Sequence, residues 1–149
     1  MATSVRSVPS ALYEEDFAAW AEAQAEALRA DRLDALDLPH LAEEIGNLSN
    51  RERDAFESHL ETLVMHLLRW RYQPDRRNRS WEATIKVARR NIAKLLRRSQ
   101  SLRRDLAASL NEIYPNARIR AGAATGLADD VFPDACRFNL DQVIGDWMP

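Results

Sequence analysis

Apolar side chains return every three or four positions along most of the 149-residue chain. That is the period of a helix with one buried face, and no segment alternates as a half-buried strand does. Tyr13, Phe17, Trp20, Ala27 and Leu28 largely keep this spacing and predict a helix over residues 12–30. Glu14, Glu15 and Asp16 crowd its first turn, where the helix dipole favours negative charge. A polar connector follows over 31–36. Asp37 then reads as an N-cap, with Pro39 tolerated in the first turn, and Leu38, Leu41, Ile45 and Leu48 continue one apolar face. Gly46-Asn47 weakens this helix, and Ser49-Asn50-Arg51-Glu52 has the form of a capping box, so a break or kink and a restart are expected there.

The restarted helix is the most regular stretch: Phe56, Leu60, Leu63, Leu67 and Trp70 step by 4, 3, 4 and 3. Tyr72-Gln73-Pro74 ends it, because proline disfavours helical geometry in the residue before it. A charged loop over 75–80, with a cap at Asn78 or Ser80, leads to a helix over 81–98 in which Trp81, Ile85, Ala88, Ile92 and Leu95 repeat the same steps. Ser101 is expected to cap a further helix with Leu102, Leu106, Leu110 and Ile113 inward. Pro115 should interrupt or restart it, since it lacks an N–H and clashes with the preceding turn. Gly126 suits the left-handed position after a helix end, with Leu127 placed to pack behind it, and a short helical stretch falls near 140–144. The expected architecture is all-α: a flexible tail over 1–11, then one helical domain over 12–149, a bundle of four to six helices with short connections.

Composition narrows the classes. Only 4 Gly and 6 Pro disfavour a β or turn-rich fold, while 46 % hydrophobic and 30 % charged residues are ordinary for a globular protein. A chain of this length buries roughly two-thirds of its unfolded surface and needs no metal or disulfide staple. The single Cys136 cannot pair within the chain and points to a reducing compartment, the cytoplasm. The first residues lack the apolar stretch of a signal peptide, and no apolar run approaches the roughly 18 residues that span a bilayer. The net charge of −2 hides a segregation. Residues 1–62 carry 5 basic and 14 acidic groups, residues 63–120 carry 15 and 4, and residues 121–149 carry 1 and 5. Of the 21 basic residues only Lys86 and Lys94 are lysine.

Several pieces in order carry a resemblance. They are Leu12-Tyr13-Glu14-Glu15-Asp16-Phe17 with Trp20 one turn on, and Leu41-Ala42-Glu43-Glu44-Ile45. Met65-His66-Leu67-Leu68-Arg69-Trp70-Arg71-Tyr72-Gln73-Pro74 follows, with Arg77, Arg79, Ser80 and Trp81 after it, and then Ala124-Thr125-Gly126-Leu127 and Phe132-Pro133. No single piece is specific, but their order and spacing over about residues 12–149 resemble the bacterial family called domain of unknown function 29, found mainly in cyanobacteria and proteobacteria. The resemblance implies a single helical domain and supplies no catalytic residue. Members often carry a basic residue where His59 stands, which makes His59 a poor candidate for a shared role.

Candidate chemistry is sparse. His59 and His66 lie seven residues apart, about 10.5 Å along a helix, too far for both to hold one ion. His40 with Glu44 or Glu43 has better spacing, yet a metal-dependent hydrolase would need a third ligand such as His66, and the Glu-x-x-His pairs of di-iron bundles are missing. No metal or other cofactor is expected. Arg53 and His59 form an Arg-x5-His pair similar to that of helical ribonucleases, but six residues turn roughly 240° around a helix, so the two point to different sides. There is no Gly-x-Ser-x-Gly elbow and no Gly-rich phosphate loop; Gly122 and Gly126 read as a helix end, and Cys136 as a small buried hydrophobe.

The basic middle has the longest reach. Arg69, Arg71, Arg76, Arg77 and Arg79 alternate with Trp70, Tyr72 and Trp81, and Lys86, Arg90, Lys94 and Arg97 form an outward stripe. Such a patch could grip phosphates while aromatics stack on bases. Against this, Trp70 and Trp81 fall on the core period, and the acidic segments can neutralise much of the charge within the fold or across a dimer. The candidate partner or phosphate contacts are Arg77, Arg79, Lys86, Arg90, Lys94 and Arg97. The outer face of the first helix, with Glu15, Glu22, Glu26 and Arg29, is a second surface, and the apolar Trp147-Met148-Pro149 is expected to dock back on the bundle or on a neighbour. The expectation is a non-enzymatic protein that binds another macromolecule, in the first place a protein or a second copy. The alternatives are a nucleic-acid binder or ribonuclease acting through 69–97, and a metal-dependent hydrolase.

Overall fold

The computed structural model describes residues 10–149, so the tail expected at the N-terminus lies, for residues 1–9, outside the described residues. Seven helices are formed among the described residues, with no strand. They are α1 (Ser10–Glu15), α2 (Phe17–Arg29), α3 (Leu38–Tyr72), α4 (Arg79–Arg98), α5 (Ser101–Arg104), α6 (Leu106–Thr125) and α7 (Leu140–Ile144). The chain groups into two compact units, divided between Asn50 and Arg51.

In the N-terminal unit the single helix expected over 12–30 is two. Asp16 breaks it by taking the N-cap of α2, where its side chain accepts from the Ala19 N–H at 3.0 Å. That satisfies one of the orphan donors at the helix start. α2 ends with Asp31 in the left-handed region (φ 54°), Arg32 N–H reaching the Ala27 carbonyl and Asp31 N–H the Leu28 carbonyl. This is the reciprocal pattern of a Schellman end, built here on aspartate instead of glycine. The interior is a polar–aromatic knot. Trp20 is buried and donates its indole N–H to Asp37 at 3.2 Å; His40 Nδ1 lies 2.7 Å from the same carboxylate oxygen. Tyr13 stacks on His40 with centroids 3.9 Å apart and donates its hydroxyl to Glu44 at 2.6 Å. Gln24, which no apolar period singles out, is buried and accepts from the Asp37 N–H at 2.7 Å. Asp37 stands at the N-cap of α3 as expected, its carbonyl accepting from the Leu41 N–H at 2.9 Å and its carboxylate taking the His40 backbone N–H, and the same carboxylate also serves the Trp20 and His40 side chains.

Two parts of the expected apolar faces stay bare. Phe17 and Leu28 are about half exposed, and Leu38, Ile45 and Leu48 are 64 %, 65 % and 61 % exposed.

The break expected near residues 46–52 does not occur, for α3 runs unbroken from Leu38 to Tyr72. One interior glycine costs a helix about 1 kcal/mol relative to alanine, which a continuous hydrogen-bond ladder outweighs. In the C-terminal unit the expected seam is fully covered: Phe56, Leu60, Leu63 and Leu67 have no exposed surface. Trp81, Ile85, Ala88 and Ile92 of α4 are buried as the 4–3–4 steps require, but Leu96 takes the next inward place and Leu95 is half-buried. Asn78, not Ser80, caps α4, accepting from the Trp81 N–H at 3.0 Å. Ser101 does not cap a long helix; it opens the four-residue α5, and α6 begins after Asp105.

Pro115 sits inside α6 without ending it. Proline removes the bond to the carbonyl four residues back. Here that carbonyl is on Asn111, and both Asn111 and Pro115 lie on the exposed side of α6, where water can take the lost donor's place. Gly126 closes the helix at φ 71°, as its position implied, and Leu127 packs against the core. The last residues fold back: Phe132, Phe138 and Val143 are buried, and Trp147 and Met148 pack against the same core.

Two outcomes follow from these contrasts. Leu63→Ala should cost about 2–5 kcal/mol of stability, because it opens a cavity in the covered seam, whereas Ile45→Ala on the bare face should change stability by only about 0.5 kcal/mol; chemical denaturation of both variants checks this. Burial alone would raise the Asp37 carboxyl, but hydrogen bonds from His40 and Trp20 outweigh it and hold the group below its ordinary value. A depressed carboxylate contributes stability that is full above about pH 4 and is lost as pH falls through the lower folded value. The Trp20 indole N–H signal in NMR should therefore lose protection in that acid range, and Asp37→Asn should remove this acid-dependent loss while weakening protection at neutral pH.

Candidate functional site

The basic segment begins where α3 ends. Arg69 and Arg71 lie in the last turn of α3, where cations complement the helix dipole. Arg69 places its guanidinium 4.1 Å from the centroid of the Trp81 ring, and its buried Nε has no hydrogen-bond partner. Burial pulls its pKa below the ordinary arginine value. Arg77 lies over Trp70 at 5.2 Å, donates from Nε to the Trp70 carbonyl at 2.8 Å and reaches the Pro149 carbonyl at 3.4 Å. Trp70 and Trp81 each have one of the chain's own arginines over the ring, and Tyr72 packs in a T-shaped contact with Phe132, centroids 5.4 Å apart. The arginine contacts take up tryptophan faces that could otherwise stack on bases.

The sequence-derived contacts separate into two groups. Arg77 is a clamp on the end of α3. Arg79, Lys86, Arg90, Lys94 and Arg97 are exposed on α4. Lys86 pairs with Glu82 one turn earlier at 2.6 Å, and this pair holds the Glu82 carboxyl below its usual range. Arg79, Arg90, Lys94 and Arg97 make no ion pair with another described residue. Four other arginines of the unit have carboxylate partners: Arg53 lies 3.6 Å from Asp105, Arg98 3.5 Å from Glu52, Arg120 2.8 Å from Glu61 and Arg118 3.1 Å from Asp134.

The residue that the stripe leaves out is the one with most to hold. Arg89 is half-buried beside the apolar face of α4. Its Nε donates to the Val143 carbonyl at 2.9 Å, and Nη2 donates to the Gln142 and Trp147 carbonyls at 2.8 and 2.6 Å. These include carbonyls at the end of α7, which lack helical partners, so one guanidinium caps that helix and ties down the residues after it. Its sequence signal was its place: an arginine flanking Ala88 and Ile92 can lay its stem along the core and send its head outward.

No hydrolytic machinery is assembled from the histidines. His40 is held by Asp37 and Tyr13. His66 is buried, donating from Nδ1 to the Thr62 carbonyl at 2.9 Å; burial, with Arg69 and Arg120 nearby, lowers its pKa and keeps it neutral. Arg53 reaches toward Asp105, while His59 lines a shallow groove with Thr62, Ser80 and Thr84, so the Arg-x5-His pair has separate neighbours. Among the described residues no three His, Cys, Asp or Glu side chains converge as a metal site. Burial pushes the Cys136 thiol up, away from nucleophilic use. None of the described helices is long and apolar enough to cross a membrane.

Over residues 12–148 the chain matches the family described as domain of unknown function DUF29. The chain belongs to this family. No curated protein and no solved structure matches it. DUF29 membership agrees with the resemblance carried by the Leu12–Phe17, Met65–Pro74 and Phe132-Pro133 segments.

In this DUF29 chain Arg89→Met should cost about 2–3 kcal/mol, the scale of lost charge-assisted hydrogen bonds to buried carbonyls, and should raise amide hydrogen exchange across residues 140–148. Arg90→Met, one position further on, should alter stability by no more than about 0.5 kcal/mol and leave that exchange unchanged.

Proposed function

We propose that the protein is a non-enzymatic interaction module of the cytoplasm whose first partner is a second copy of itself. The observation that carries this reading is the uncovered apolar face of the N-terminal unit, where Leu38, Ile45 and Leu48 are each more than half exposed, with Leu28 and Leu33 bare nearby in sequence. Single exposed apolar residues need no explanation, but a helical stripe of them marks an association surface. Its setting is acidic: residues 10–50 carry ten acidic and two basic side chains. The complementary surface is the outer side of α4, where Val87 is 57 % exposed among Lys86, Arg90 and Lys94. An acid-flanked apolar face on one copy fits a base-flanked apolar residue on the other, and opposite charges steer such an encounter. Within this reading Arg79, Lys86, Arg90, Lys94 and Arg97 are partner contacts, and Arg77 is a structural clamp.

Light scattering behind a sizing column tests it. The expected result is a dimer at low salt that weakens as salt rises, becoming a monomer in Ile45→Glu/Leu48→Glu and equally in Arg90→Glu/Lys94→Glu. A strict monomer at high protein concentration overturns the proposal. So does nucleic acid that co-purifies with the native chain and is lost only in Arg90→Glu/Lys94→Glu, which would assign the stripe to phosphates.

A further inference from the structure

The C-terminal unit contains a cavity of about 180 Å³ beneath its folded-back end. Its apolar wall includes Leu68, Tyr114, Phe138 and Trp147, while Arg71 and Arg137 both border it. The two cations share this space with no carboxylate among the lining residues. Neither makes an ion pair or hydrogen bond to another described residue. Arg137 is the sole basic residue of the last 29, which hold five acids. Asp134, three residues away, is taken by Arg118 at 3.1 Å. The remaining polar lining also donates. Gln142 spends its carbonyl oxygen on the Asn139 N–H at 3.0 Å, which leaves its amide N–H groups without a partner among the described residues. Tyr72 also lines the cavity, and its hydroxyl makes no hydrogen bond to another described residue.

Two exposed arginines border one small cavity with no carboxylate among its lining, so an anion seated there meets both charges. The guanidinium fork matches a carboxylate through paired N–H···O bonds. The apolar wall asks for more than a bare anion: a pocket lined by aromatic side chains with a few converging donors suits an organic molecule with one polar end. We propose that this cavity binds a small organic carboxylate, its carboxylate held by Arg71 and Arg137 and its apolar body against Phe138 and Trp147. The inference is independent of the pairing of two copies, since none of these residues lies on the acidic face or the α4 stripe. Arg89 has a part in it as a positioning residue, because the segment that it anchors supplies Gln142 and Trp147 to the wall.

The test uses the full chain and benzoate as probe, with acetate, inorganic phosphate and benzyl alcohol as the other arms, followed by calorimetry and by the NMR signals of the Trp147 indole and the Gln142 amide. Benzoate should bind at one saturable site and move both signals. Acetate and benzyl alcohol, each lacking one half of the recognised chemistry, should bind at least about tenfold more weakly. Arg137→Met and Arg71→Met should each lower benzoate affinity about tenfold or more, and Arg137→Lys, which keeps the charge without the fork, should retain part of it. Both arginines are exposed, so unchanged backbone spectra in the variants separate lost binding from lost folding. The proposal is overturned by an absence of saturable benzoate binding, by phosphate binding as tightly as benzoate, or by benzoate affinity that is unchanged in both methionine variants.

Discussion

Phe56, Leu60, Leu63 and Leu67 stand on one side of α3 with no exposed surface, and the C-terminal unit is arranged around the need to keep them dry. Each such side chain contributes about 1.5–3 kcal/mol when it leaves water, so an uncovered seam would leave this unit without its main source of stability. α4 contributes Ile85, Ala88 and Ile92 to the same cluster, α6 contributes Leu110, Ile113 and Ala117, and the chain end contributes Phe132, Phe138 and Val143. The end of the chain is therefore a working part of the core, and what anchors it decides how complete the core is. That makes Arg89 a structural residue in spite of its charge.

The surplus of arginine over lysine is used in ways that lysine could not match. Arg77 and Arg69 lie over tryptophan rings, and Arg77 and Arg89 also donate to carbonyls that would otherwise lack partners. A planar group with several fixed donors can stack and bond at once, whereas an ammonium is a more strongly hydrated point charge. The positive middle of the chain is thus partly consumed by folding. What remains unpaired among the described residues includes the outer side of α4, Arg76, Arg103 and Arg104 on the surface, and Arg71 and Arg137 at the cavity.

The legible part of the fold was the part written as repeated spacing. The steps from Phe56 to Leu67 and from Trp81 to Ile92 gave the buried faces directly, and the inward set Leu102, Leu106, Leu110 and Ile113 is buried although a short break at Asp105 divides it between α5 and α6. Caps were less legible, because a capping side chain competes with tertiary partners. Asp16 took a cap that cut the first helix, while Asp37 caps α3 as its position implied and is also shared with the Trp20 and His40 side chains. Gly46 and Pro115 predicted interruptions that a long ladder and an exposed helix side absorbed. The N-terminal unit departed furthest. Its apolar period marks a buried face only in part: Trp20 and Ala27 are covered, but the interior is completed by Gln24 and Asp37 through hydrogen bonds that have no periodicity. Leu38, Ile45 and Leu48 are then left over from a pattern that elsewhere means core.

Sites made at the junction of separate segments have no period at all. Arg71 and Tyr72 end α3, Tyr114 lies mid-way along α6, and Arg137 precedes α7, so each has a sufficient local reading as a helix-end cation, a core aromatic or a loop charge. The trace that the cavity left in the sequence is a mismatch of charge: Arg137 is a lone cation in an acidic stretch. In such a stretch the cheapest arrangement is an ion pair with a neighbouring carboxylate, and surface pairs of that kind form readily even though each is worth little. Arg137 forms none among the described residues, and Arg118, from another helix, holds Asp134 instead. Arg137 borders an aromatic-walled cavity with a second arginine, and a carboxylate with an apolar body is the group that fits both the charge and the wall.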